Sequence, residues 1–118
     1  MTFNYERPTT ARKAHRCAHC RGRIAPGETY LRVAGNDVYG DFMAFKAHTD
    51  CRALWHDMFD DWGDWNDGMD LDLAVVLSES GDLPAVREAL NHHRGFFPHA
   101  VCRIEFRLRY WLTEDNDG

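Results

Sequence analysis

Two short motifs, Cys17-x-x-Cys20 and His48-x-x-Cys51, decide the fold of this 118-residue chain. A Cys-x-x-Cys turn aims two thiolates at one point, and a His-x-x-Cys pair further along the chain supplies the two remaining ligands of a tetrahedron. The spacing therefore predicts one structural Zn²⁺ bound by all four side chains. A site filled by protein ligands leaves no position for a catalytic water, so zinc catalysis is not expected.

Other interpretations of the cysteines are less consistent with the sequence. A redox Cys-x-x-Cys follows a buried strand and has no downstream His-x-x-Cys. A disulfide framework requires an oxidising compartment, but residues 1–7 precede no apolar run, so we expect no secretory signal and a cytoplasmic location. His15 and His19 are expected not to bind the metal, and Cys102 is expected to be a buried thiol.

The residues around the two motifs carry a family resemblance. The stretches concerned are Ala11-Arg12-Lys13-x-His15-Arg16-Cys17-x-x-Cys20, Ile24-x-Pro26-Gly27-Glu28-x-Tyr30-x-Arg32, Gly40-Asp41-Phe42 and Lys46-x-His48-x-Asp50-Cys51. This region, about Ala11 to Trp55, resembles small phage and prophage zinc proteins of unassigned function. It is more distantly similar to the poly(ADP-ribose) polymerase type finger and the first half of a LIM domain. The resemblance implies the same four ligands and no catalytic residue.

Local patterns predict a treble-clef-like finger over residues 11–62. Pro26-Gly27 signals a turn, and the alternation in residues 29–33 indicates a strand that pairs with residues 42–47. His48 would end this hairpin. Cys51 would begin a helix that runs to about Asp61, with Asp50 as its cap.

The remaining extension, residues 69–112, contains a clear helix signal and an ambiguous segment. Asp82 and Pro84 predict a helix through about Leu90 that Gly95 stops. In the C-terminal run, residues 102–110, apolar and charged side chains alternate. This period of two predicts a C-terminal strand. Its apolar side is Cys102, Ile104, Phe106, Leu108 and Tyr110. A helix stays open as the alternative, because Val101, Ile104, Leu108 and Trp111 also match helical spacing. The predicted fold class is α+β, in one small domain of residues 1–118.

Charge is unevenly distributed in this chain of net charge −5. Ten Asp lie between Asp37 and Asp72, several of them beside Trp, and this acidic-aromatic surface is predicted to engage and modulate a protein partner, a bacterial host protein if the chain is phage-encoded. The proposed contact residues are Asp57, Asp60, Asp61, Asp64, Trp65 and Asp67. A simpler interpretation is a helix end whose Trp side chains enter the core while the Asp side chains stay solvated. A calcium loop is not expected, because the acids lack EF-hand spacing.

The basic N-terminal segment supports an alternative, a zinc finger that binds nucleic acid. Its candidate phosphate contacts are Arg12, Lys13, Arg16, Arg21 and Arg23. The net negative charge opposes this function. An enzyme is not expected, because no second catalytic set follows Cys20 and the spacing of His92, His93 and His99 implies no second site. No apolar run reaches the ~18 residues of a membrane span. Neither the partner's identity nor an oligomeric state follows from the sequence.

Overall fold

A computed structural model describes residues 2–36, 42–59 and 71–114 of the chain. These residues form an α+β domain with a three-stranded antiparallel sheet, a two-stranded sheet and four helices. The elements in chain order are β1 (Thr2–Thr10), β2 (His15–Arg16), β3 (Arg23–Ile24), β4 (Thr29–Asn36), β5 (Phe42–His48), α1 (Thr49–Phe59), α2 (Leu73–Glu79), α3 (Leu83–Arg94) and α4 (Pro98–Glu114).

The larger sheet has the strand order β1-β4-β5, and β4 pairs antiparallel with both neighbours. The predicted hairpin is confirmed as β4 and β5, and its turn lies outside the described residues. β1 was not predicted, because only pairing with β4 identifies it as a strand. Val33 and Ala47 are buried on one face of the sheet, where α1 packs against β4 and β5. The opposite face carries exposed cationic side chains.

In the two-stranded sheet, the tight turn that joins β2 to β3 is a zinc knuckle, residues 17–22. The backbone N–H of Cys17 donates to the carbonyl of Gly22 at 2.9 Å, and the N–H of Arg21 donates to the carbonyl of Cys17 at 2.9 Å. Arg21 closes the turn with a positive φ of 60°, a conformation that few non-glycine residues adopt. The knuckle therefore holds residues 17–20 in one fixed loop.

Two helix predictions are confirmed by the structure. The carboxylate of Asp82 accepts from the N–H of Ala85, Pro84 lies in the first turn of α3, and Gly95 is its C-cap. α1 begins at Thr49, two residues earlier than predicted. Asp50 consequently lies inside the first turn of α1 rather than at its cap. None of the helices in the described ranges is long and apolar enough to cross a membrane.

The prediction of a C-terminal strand is wrong, because residues 98–114 form helix α4. Val101, Ile104 and Leu108 are buried, whereas Phe106 is 64% and Tyr110 is 75% exposed. A strand would have placed Ile104, Phe106, Leu108 and Tyr110 on one face. Packing against α2 and α3 selects the helical period, since it buries a stripe with spacing i, i+3 and i+7.

One core joins the zinc knuckle to the helices. Ile24, Leu54 and Ile104 are each fully buried and belong to the same apolar cluster as the cysteines of the two motifs. The finger and the C-terminal helices are thus packed around shared side chains. A change at the knuckle is expected to affect both halves of the described fold.

Candidate metal centre and adjoining groove

Four predicted ligands meet at one point in the described fold. Cys17 and Cys20 come from the knuckle, His48 is the last residue of β5, and Cys51 lies in the first turn of α1. All four residues are buried, and their ligand atoms lie within 4.8 Å of one another. The hairpin end, the helix start and the knuckle therefore bring together side chains that are far apart in the sequence.

The hydrogen bonding of His48 determines which ring nitrogen faces the cysteines. Its Nε2 lies 3.0 Å from the carbonyl oxygen of Arg23. Because a carbonyl oxygen only accepts, Nε2 carries the proton and donates. Nδ1 lies 3.3 Å from Cys20 Sγ and 3.7 Å from Cys51 Sγ, so its lone pair is directed at the cluster. Such a partner for the non-ligating nitrogen is the usual way in which proteins orient a metal-binding imidazole.

Backbone N–H groups stabilise the thiolates that a metal requires. The N–H of Gly22 donates to Cys20 Sγ at 3.3 Å, and the N–H of His48 donates to Cys17 Sγ at 3.3 Å. A Cβ atom at Gly22 would lie 3.2 Å from Cys20 Sγ. The close approach of this backbone to the sulfur therefore favours glycine at position 22.

Hydrogen bonding inside the cluster also shifts the pKa of its members. Hydrogen bonds with Cys20 and Cys51 lower the pKa of the Cys17 thiol, although burial opposes this effect. Burial alone would lower the pKa of His48, but hydrogen bonds to Cys17 and Cys20 and their charges outweigh it and raise the pKa to about 10. Hydrogen bonds with Cys17 and Cys20 raise the pKa of the Cys51 thiol, so without a metal the four groups share protons among themselves.

The donor set and its geometry fit one structural zinc ion. Three thiolate sulfurs and one imidazole nitrogen match the tetrahedral Cys₃His sites of structural zinc. The sulfurs of Cys17 and Cys20 accept hydrogen bonds from backbone N–H groups. The hydrogen bond from Nε2 of His48 fixes its tautomer and orients its ring, as in other zinc sites. The predicted cofactor, a single structural Zn²⁺, is confirmed in this sense. A second group of metal-ligating side chains is absent from residues 2–36, 42–59 and 71–114.

Arg103 links the centre to α4, a role that no pattern in the sequence indicated. Its Nη2 donates to Cys51 Sγ at 3.3 Å and to Asp50 Oδ1 at 2.5 Å. An arginine of the C-terminal helix thereby contacts a metal ligand and the first turn of α1. Only the packing of α4 on the finger places Arg103 there.

His19 lies inside the knuckle but points away from the cluster, as predicted. Its Nδ1 donates to the carbonyl of Leu71 at 2.8 Å, and its Nε2 lies 3.4 Å from Arg52 Nη1. The ring stacks on Trp55 with centroids 4.7 Å apart. Burial lowers the pKa of His19 to about 4, so the ring is neutral and holds the knuckle against α1. His15 also lies outside the ligand group, with its ring 5.3 Å from that of Tyr30.

The prediction for Cys102 is wrong, because its side chain is exposed. The helical period turns Cys102 outward between the buried Val101 and Ile104, whereas the predicted strand would have placed it beside Ile104. Of the acidic-aromatic surface, the described residues include only Asp57, which is exposed and lies 2.7 Å from His93 Nδ1. Asp60, Asp61, Asp64, Trp65 and Asp67 lie outside the described residues. Trp55 is buried, in agreement with the simpler interpretation for this one side chain.

The candidate nucleic-acid residues are all exposed, and the structure brings two of them together with α4. Arg16 and Arg21 line a groove of about 670 Å³ between the knuckle and α4. The residues that line this knuckle–α4 groove are Arg16, Cys20, Arg21, Gly22, His99, Cys102, Arg103, Phe106, Arg107 and Arg109. Arg12 lies instead in a smaller cleft beside β1, and Lys13 and Arg23 line neither.

The groove combines positive charge with exposed aromatic surface. Five arginines and no carboxylate line it. Arg103 pairs with Asp50 and Arg107 with Asp72, both just outside the groove. The guanidinium of Arg109 lies 4.0 Å from the centre of the Phe106 ring.

Searches of protein-family models, curated proteins and solved structures find no match to this chain. The proposed function therefore rests on the metal centre and the groove beside it.

Proposed function

We propose that this protein is a non-enzymatic, zinc-stabilised binding module whose knuckle–α4 groove holds a strand of nucleic acid. The observation that supports the proposal is the presence of five arginines beside the exposed ring of Phe106 in one groove. Guanidinium groups match phosphate oxygens in geometry and charge. An exposed aromatic face accepts a stacked base, so the combination suits a single strand better than a closed duplex.

The net negative charge of the chain does not contradict this proposal. The excess acid comes from the ten Asp between Asp37 and Asp72. At physiological salt the field of exposed charges is screened over about 8 Å. Among the described residues, five arginines line the groove, and two of them, Arg103 and Arg107, pair with carboxylates outside the lining.

The zinc ion has a positioning role in this proposal. The knuckle presents Arg16 and Arg21, and its conformation depends on Cys17 and Cys20 being held by the metal. Arg103 connects Cys51 to α4, which forms the other wall. We therefore expect the metal to fix the width of the groove without taking part in any reaction.

The protein-binding function predicted from the sequence remains a second proposal. Asp57 is exposed on α1, at the start of the predicted acidic-aromatic surface, and a basic partner would complement the Asp-rich segment. The treble-clef classification, predicted from local patterns, the phage or prophage origin implied by the resemblance, and an inhibitory action on a host complex all stay predictions. A pull-down in which partners survive nuclease treatment would support this second proposal.

The test of the nucleic-acid proposal is fluorescence anisotropy with labelled single strands and duplexes of about 12 nucleotides, within the footprint of known single-strand modules. The wild-type protein should bind the single strand more tightly, with affinity that falls from about 50 to 200 mM salt. Replacing Arg21 and Arg109 by Gln should flatten the salt dependence of single-strand binding, by about 0.7 in the log–log slope for each phosphate that is no longer neutralised.

A matched control is Arg94→Gln, which removes an arginine that lies outside the groove and pairs with Glu105. This variant should bind like the wild type. Absence of salt-dependent binding by the wild type to either oligonucleotide would refute the proposal.

A further inference from the structure

Three cations stand side by side across one face of the large sheet. Arg7 of β1 is the direct register partner of Arg32 of β4, and Arg32 is the direct partner of Lys46 of β5. Directly opposed residues of antiparallel strands project from the same face. We refer to Arg7, Arg32 and Lys46 as the cation row.

Two neighbours in the cation row, Arg32 and Lys46, are unfavourable for the isolated fold. Like charges placed directly opposite each other across two strands destabilise a sheet. Among the described residues, neither Arg32 nor Lys46 forms an ion pair. The side chains of Arg7 and Arg32 are exposed, on the face opposite the buried Val33 and Ala47.

The cation row adjoins the knuckle at one end and a cleft beside β1 at the other. The N–H of Ala18 in the knuckle donates to the carbonyl of Lys46 at 2.8 Å, so the row borders the loop that also forms the groove. At the other end, Arg7 and Arg32 line a cleft of about 490 Å³ together with Arg12. Positive charge thus extends from the cleft across the sheet to the knuckle.

We propose that the cation row is a second phosphate-contact surface for the nucleic-acid strand that occupies the knuckle–α4 groove. This inference rests on the proposed function. Adjacent strands lie about 4.8 Å apart, so three neighbouring positions span roughly 10 Å, which is longer than one nucleotide of an extended strand. A phosphodiester backbone would neutralise the repulsion between Arg32 and Lys46.

The experiment compares two labelled single strands, one of about 5 and one of about 16 nucleotides, the limits of a compact site and an extended one. The short strand fills the groove, and the long strand also reaches the sheet. The double variant Arg32→Gln/Lys46→Gln should bind the short strand like the wild type. It should bind the long strand about 10–30-fold more weakly at 0.1 M salt, because each of the two phosphate interactions contributes about 0.7 log units.

Thermal unfolding distinguishes weaker phosphate binding from damage to the fold. The double variant should melt no lower than the wild type, since it removes a repulsion. Equal affinity of wild type and double variant for the long strand would overturn this inference and leave the proposed function standing. If the wild type binds neither strand, the proposed function fails and the inference fails with it.

Discussion

Removal of the metal is expected to unfold the whole described domain and not only the finger. The substitution to make is Cys17→Ser, which replaces a soft thiolate ligand by a hydroxyl that zinc does not favour. Cys17 is fully buried and shares one apolar cluster with Leu54 of α1 and Ile104 of α4. Loss of the knuckle would expose the surfaces that both helices bury.

The magnitudes predict a complete loss of the folded state. Structural zinc contributes about 10–16 kcal/mol of apparent binding free energy in small zinc domains. A domain of this size has a net free energy of unfolding of about 5–15 kcal/mol. Without the metal, the stability of the chain falls close to zero or below it, because the ligand cluster becomes an unbalanced group of buried thiols and one imidazole.

The assay combines metal analysis with thermal unfolding followed by circular dichroism. The wild type should contain one zinc per chain and melt in a single cooperative transition. Cys17→Ser, or the wild type treated with a chelator, should lose the ion and that transition. Cys102→Ser is the matched control, because Cys102 is an exposed thiol outside the ligand group. It should keep the metal and the melting temperature.

The opposite result would be an apo protein or a Cys17→Ser variant that still melts cooperatively near the wild-type temperature. That result would mean that the apolar core alone stabilises the domain. It would also remove the positioning role that we assign to the metal in the groove.

Three further predictions concern individual side chains. Ile104→Ala should lower the free energy of unfolding by about 2–5 kcal/mol in urea titrations, because Ile104 is fully buried; a loss below about 1 kcal/mol would contradict the helical packing of α4. Phe106→Ala should leave stability almost unchanged, since the ring is 64% exposed, and should weaken single-strand binding by about 1–3 kcal/mol; unchanged affinity would exclude stacking at this ring. Glu6→Gln should destabilise the fold by about 1–3 kcal/mol at neutral pH, because Glu6 Oε2 contacts Arg52 and His56. Burial raises the pKa of Glu6, but these contacts hold it below its ordinary value of 4.5. Its contribution is therefore complete above that value and lost as the pH falls through the lower folded-state pKa; equal urea midpoints for variant and wild type at neutral pH would count against it.

Prediction from sequence succeeded where the signal was local chemistry. The predicted α3 had Asp82, Pro84 and Gly95 at its ends, and these residues act within one or two turns of the chain. The hairpin of β4 and β5 was also predictable, because its alternation and the turn before it are local features. β1 escaped prediction, because its identity as a strand depends on pairing with β4, which lies far along the chain.

The sequence by itself determined the metal ligands. Thiolate and imidazole side chains at the spacings of Cys17, Cys20, His48 and Cys51 have few other uses in one short segment. The tertiary structure alone decided the conformation of residues 98–114, whose apolar positions match both period two and the helical period. Burial against α2 and α3 selected the helix, turned Phe106 outward, and brought Arg103 to the metal centre and Arg109 to the groove. The physical reason is that ligand chemistry is a property of the residues, whereas the face that a segment buries depends on what packs against it.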